Sequence, residues 1–189
     1  MDHVAIMKKS WGLTEKILSG EKKIESRWYM ARCAPWDRIK EGETVYFKDS
    51  GEPVKIKAKV GKVLQFADLN SAKVGEILEK YGEEDGLEVI KSQEPSVDIV
   101  FSSTSSEKTV PTRSLDTLAA WKLFKNKSYC ILIFLKNPIR IKPFDIDKTG
   151  FGMMSAWITV KNIKQIRNTI QTGKMINMPA RKISLKNTK

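Results

Sequence analysis

Two cysteines, one histidine and no acidic residue after Asp147 mark what this 189-residue sequence lacks. Cys33 and Cys130 form neither a CxxC pair nor a disulfide framework, which argues for a reducing, cytoplasmic setting and against secretion. A lone histidine, His3, leaves no histidine relay and no zinc cluster, and its place near the N-terminus predicts a surface residue. No GxSxG elbow, P-loop or HExxH motif occurs. Asp145 and Asp147, beside Lys148, suit turn or loop positions better than a carboxylate-rich hard-ion site, so no metal and no cofactor is assigned. The longest apolar run, Cys130 to Leu135, falls far short of the roughly 20 residues a membrane-spanning helix needs. Lys8 and Lys9 are not followed by the apolar stretch of a signal peptide, and no membrane association is expected.

What the sequence has in excess is positive charge, a formal +12. Lysine and arginine that neutralise phosphates release condensed counterions, so such a balance favours a polyanionic partner. Charge alone does not separate RNA from DNA, which nonspecific attraction also holds, or from anionic lipid. Its distribution is more telling. Nine basic residues and no acid follow Asp147, whereas Glu76 to Asp98 holds eight acids against Lys80 and Lys91. A phosphate chain is expected to avoid the second segment and to be drawn to the first.

Hydrophobic content of 41% is enough for one domain with a core of its own. Val4 to Met7 reads as a first strand, and Leu13, Ile17 and Leu18 as a short helix stopped by Gly20. Ile24 to Tyr29 suits a second strand. Thr44 to Lys48 and Val54 to Leu64 flank Asp49-Ser50-Gly51-Glu52, and Val54, Ile56, Ala58 and Val60 alternate with lysines at the period of a half-buried strand, which predicts a β-hairpin. Val74, Ile77, Leu78 and Tyr81 recur at helical spacing and predict a helix over 71–81 that covers one opening of a barrel. Residues 102–112, rich in serine and threonine, predict a mobile loop. A short helix near Leu115 to Lys122, strands over Tyr129 to Leu135 and Ala156 to Val160, and a closing helix over Asn162 to Ile170 complete the pattern. Short strands separated by turns favour a small barrel over a doubly wound sheet.

Gly20-Glu21-Lys22-Lys23-Ile24-Glu25-Ser26-Arg27 carries a GxKxxExR pattern between the first helix and the second strand. With Pro35-Trp36, Glu41-Gly42-Glu43, Tyr46-Phe47-Lys48, the run Asp147 to Gly152 and Ser155 to Ile158, it resembles the ASCH family of PUA-like β-barrels, a group associated with RNA. The resemblance, which covers residues 1–160, implies an α+β fold, a PUA-like mixed β-barrel with short peripheral helices; a basic helix and tail are read from the sequence over 161–189. The resemblance also implies a cleft beside the signature strand that holds RNA or a modified nucleobase.

Strand geometry places Lys23, Glu25 and Arg27 on one face and Lys22, Ile24 and Ser26 on the other. Glu25 between two cations stays ionised and orients the Arg27 fork toward a phosphate or base edge. The plainer alternative is an Arg27 and Glu25 ion pair that only fixes the barrel wall. Trp36 is read as a stacking platform, Trp28 as open between the two roles, and Trp121 and Trp157 as packing. Lys55, Lys57 and Lys59, with Lys48 and Lys62 near the ends, form a stripe suited to a phosphate backbone or to a plain solvated face. Some relatives implied by the resemblance are hydrolases that remove acyl groups from modified cytidine with a lysine and a threonine of this signature and a distant glutamate, and one is linked to ribonuclease activity. Lys22 matches the lysine and Glu25 stands where the threonine would be, so Lys22 and Glu25 are the candidate catalytic pair. RNA binding, hydrolysis in the same cleft, and recruitment of a basic protein by the acidic segment are the three functions open to such a chain.

Overall fold

A computed structural model describes residues 1–87, 124–152 and 154–168. The loop expected over 102–112, the helix near Leu115 with Trp121, and the tail beyond 168 lie outside the described residues. The chain enters through β1 (Asp2–Met7), a single 3-10 turn and α1 (Leu13–Ser19), then β2 (Ile24–Tyr29), β3 (Thr44–Asp49) and β4 (Val54–Ala67). After α2 (Ser71–Tyr81) come β5 (Tyr129–Ile146), β6 (Trp157–Val160) and β7 (Arg167–Asn168).

The strands form one mixed sheet in the order β2-β5-β4-β3-β1-β6, with β7 on the far end of β5. β1 and β3 run parallel and the other pairs antiparallel. The hairpin predicted around Asp49 to Glu52 is present, with Phe47 opposite Ile56 and Gly51 in the left-handed conformation at φ 81°. α1 stops at Gly20, whose φ of 81° is open to glycine at little cost. Asn70 caps α2 by accepting from the Lys73 N–H at 2.9 Å.

The sheet curls around a core of Val45, Phe47, Ile56, Ile131 and Ile133, closed by Leu13 and Ile17 of α1. Alternate residues serve the opposite face. There Ile77 of α2 packs on Ile24, Cys130 and Leu132, so α2 covers the outer wall of β2 and β5 rather than a barrel opening. A third cluster, Val4, Val54, Phe144, Ile158 and Ile163, seals the outer wall near β6.

Two elements differ from the sequence expectation. β5 continues past Leu135 to Ile146 although Pro138 lies in its path. Asn137 takes a φ of 51°, and the pairing jumps from Lys59 opposite Lys136 to Lys57 opposite Ile139, so a bulge absorbs the proline where no ladder N–H is required. The helix expected over 162–170 is instead a 3-10 turn, Ile163–Gln165, closed by an Asn162 and Gln165 capping box. Arg167 and Asn168 then pair with Ile146 and Asp145, because those strand edges offer backbone partners that a short helix would leave unused. Among the described residues no helix is long and apolar enough to cross a membrane.

Candidate nucleic-acid interface

β2 and β6 are the two ends of the strand path, and no ladder joins them. Side chains close that seam instead. Arg27 of β2 stands over the indole of Trp157 of β6 with its guanidinium carbon 5.3 Å from the ring centre. Its Nη2 reaches Met7 Sδ of β1 at 3.6 Å. Glu25, one strand repeat earlier, places Oε1 2.8 Å from Arg27 Nε. That contact is an ion pair without good hydrogen-bond alignment, and the buried Nε has no aligned acceptor among the described residues.

Lys22 lies before β2 begins, so strand parity does not govern it. It is buried, and its Nζ meets the carboxylate of Asp85, donates to the Asp85 carbonyl at 2.6 Å, and lies 3.7 Å from Glu25 Oε2. The parity expectation that separated Lys22 from Glu25 is thereby corrected. Asp85 comes from the turn after α2, which docks along the edge of β2. The Glu84 carbonyl accepts from the N–H groups of Lys23 and Ile24 at 2.7 and 2.9 Å, and Asp85 Oδ1 accepts from the Ser26 N–H at 3.2 Å. These bonds satisfy edge donors that would otherwise be exposed to mispairing. Burial pushes the Asp85 carboxyl above its ordinary range despite the opposing pull of Lys22.

Two cations and two carboxylates, Lys22, Arg27, Glu25 and Asp85, therefore share one buried, charge-balanced cluster. Asp85 was visible in the sequence only as one of many acids in a segment read as repelling RNA, and no local pattern marks it. Trp157, read as packing, is buried and also forms the floor under Arg27. His3 is corrected as well. It is fully buried because β1 alternates inward at positions 3, 5 and 7, and it accepts the Trp157 indole N–H.

The other sequence candidates lie apart from the cluster. The Lys23 side chain is exposed. Trp36 packs edge-on against Tyr129 at 5.2 Å, with Arg32 over both rings. Trp28 stacks on Phe124 at 4.1 Å. On β4, Lys57 and Lys59 face outward, Lys59 donating to the Gly42 carbonyl and Thr44 hydroxyl, while Lys55 pairs with Asp49 and Glu52. Lys48 is buried along its stem, and burial with the repulsion of Lys148 pulls its amine below the ordinary lysine range.

No family model matches the sequence, and no curated protein matches it. Solved structures do. The crystal structure of ASCH from Zymomonas mobilis has a TM-score of 0.52 over 87% of this chain and 91% of that one, at 15% identity. The chain has the fold of an ASCH domain. A mutant of the same Zymomonas mobilis protein gives a TM-score of 0.52 over 87% of this chain and 93% of the other, at 14% identity. The α+β fold with short peripheral helices agrees with this ASCH-type fold, the mixed β-barrel expected from the sequence being a curled mixed sheet, a half-barrel open between β2 and β6.

Proposed function

We propose that this chain is an RNA-binding module that takes a nucleobase at the seam between β2 and β6. The observation that carries the reading is the Arg27 guanidinium, fixed by Glu25 and Trp157; among the described residues its Nη groups meet only the weak acceptor Met7 Sδ. An arginine fork so placed suits the acceptor edge of a base, and the buried ring beneath holds the guanidinium in position. Charge balance favours a base over a phosphate, which would meet two carboxylates along with the two cations. Phosphates are left to the exposed Lys23 and Lys59 and the half-exposed Lys57, while the buried Lys48 and the carboxylate-paired Lys55 are less suited to them. The acid-free stretch from Lys148 onward adds sequence-independent attraction. Trp36, capped by Arg32, supplies a separate platform. A cytoplasmic, reducing setting suits the two free thiols.

Labelled structured RNA, titrated over a salt series with duplex DNA as competitor, tests this. Arg27→Ala is expected to weaken binding about tenfold to a hundredfold with an unchanged salt slope, since a base contact is worth about 1–3 kcal/mol and releases no counterions. Lys59→Ala is expected to lower the slope by about one. Equal affinity of Arg27→Ala and wild type sinks the reading.

One observation favours hydrolysis in the same place as a second reading. The acid that the amidohydrolase resemblance asks for has a counterpart in Asp85, which meets Lys22, the residue matching the signature lysine. Glu25 then serves as general base, with Lys22 and Arg27 stabilising developing negative charge. Incubation with acetylated cytidine and with structured RNA decides it: product that Glu25→Gln abolishes supports an enzyme, and no product from the wild type leaves simple binding.

A further inference from the structure

A second polar group lies directly behind the Arg27 site, and the proposed function does not use it. His3 of β1 is fully buried among three partners. Trp157 Nε1 donates to its Nδ1 at 3.2 Å, Thr159 Oγ1 lies 3.1 Å from the same nitrogen, and Glu43 Oε2 lies 2.9 Å from Nε2. An indole N–H can only donate and a carboxylate can only accept, so the network assigns the neutral tautomer with its proton on Nε2. Glu43 is itself held, by the Met1 ammonium at 2.8 Å and by the Lys40 N–H at 2.8 Å. The Trp157 ring cannot turn without giving up this acceptor, and its face is what Arg27 rests on.

We propose that His3 is a positioning residue of the Arg27 site: anchored by Glu43, it fixes the Trp157 indole and, through that ring, the direction of the guanidinium. The inference rests on the RNA reading for its consequence but not for its geometry. Ligand affinity then depends on a residue that touches no ligand.

Protonation follows from the same arrangement. A proton on Nδ1 meets the indole N–H donor against donor and turns to the Thr159 hydroxyl 3.1 Å away, so the indole loses its acceptor and is released. The groups facing His3 are Glu43, Asp2, the Met1 ammonium, Trp157 and Thr159, with Arg27 beyond the indole. Burial outweighs the pull of Glu43 and holds the imidazole below its ordinary 6.5. The released state is therefore reached only on the acid side of that value.

The test uses the full chain with two readouts, affinity for labelled structured RNA and the Arg27 Nε–H resonance of the free protein by nitrogen-15 NMR, assigned with Arg27→Lys. His3→Phe removes acceptor and donor together. It is expected to weaken RNA binding about tenfold, the scale of coupling between groups in one network, and to move the Arg27 resonance toward that of a solvated side chain. His3→Gln, whose amide offers Trp157 an acceptor and Glu43 a donor, is expected to keep both near wild type and to flatten the loss of binding on acidification below 6.5. Arg27→Ala with His3→Phe should bind no worse than Arg27→Ala alone. Additive losses overturn the proposal, as does an unmoved Arg27 resonance in His3→Phe. Should that variant fail to fold, Glu43→Leu, which removes the anchor of the imidazole and leaves Trp157 and Arg27 whole, is held to the same outcomes. If the wild type binds no RNA while His3→Phe still moves the resonance, the positioning role stands and the RNA reading falls.

Discussion

Lys22 and Asp85 show how little a single residue's type says about its work. A lysine in a basic sequence reads as a phosphate contact, yet Lys22 is 4% exposed and spends its ammonium on the carboxylate and carbonyl of Asp85. Removing one partner of a buried pair strands the other charge. Asp85→Leu is therefore expected to destabilise the fold by about 3–5 kcal/mol, whereas Lys22→Met combined with Asp85→Leu should recover most of that loss. Urea unfolding of the two variants and the wild type checks this, and equal losses would mean that the pair contributes through its hydrogen bonds to the backbone rather than through charge. The signature residues Glu25 and Arg27 were open to sequence reading because strand parity keeps positions two apart on one face. Asp85 was not, since sixty residues of chain separate it from Glu25 and only folding makes them neighbours.

At the scale of elements, periodic segments were read correctly and interrupted ones were cut short. α2 occupies residues 71–81 as its helical spacing predicts, and β2 keeps its predicted bounds. β5 was truncated at Leu135 because Lys136-Asn137-Pro138 breaks both the apolar run and the donor ladder. Long-range pairing overrides that local signal once Asn137 enters the left-handed region. Asparagine tolerates this conformation and a β-branched residue does not, so Asn137→Val should cost about 1–3 kcal/mol while Asn137→Gly stays near neutral. Thermal unfolding of both variants measures the difference, and an unaffected Asn137→Val would show that the bulge is not held in place by this backbone conformation. The face that α2 covers also escaped the sequence. Its apolar stripe says that one side is buried, not which wall of the sheet it meets.

For the molecule as a whole, acid should act at the seam first. Burial raises the Glu43 carboxyl, but the Met1 ammonium, His3 and the Lys40 N–H outweigh it and hold it at about 2, below its ordinary 4.5. Its contribution to stability is complete above 4.5 and fades as pH falls toward 2. His3 acts in the same direction: the unfolded chain takes up a proton near 6.5 and the folded chain resists it, so stability declines below that value. Asp85, raised by burial, opposes both. Unfolding temperatures measured from pH 7 to 3 should fall in the wild type and fall less below 4.5 in Glu43→Gln. By itself the sequence determined β1 to β4, β6, α1 and α2, the hairpin, the basic balance and the GxKxxExR pattern, because each depends on neighbours a few residues away; the course of β5 past Pro138 and the strand β7 in place of a closing helix depend on long-range pairing. Only the tertiary structure decided that β2 and β6 meet without a ladder, that Trp157 lies under Arg27, and that His3 and Asp85 stand behind the site. Those contacts join residues from opposite ends of the strand path, and the curl of the sheet that brings them together is a property of the whole packed core.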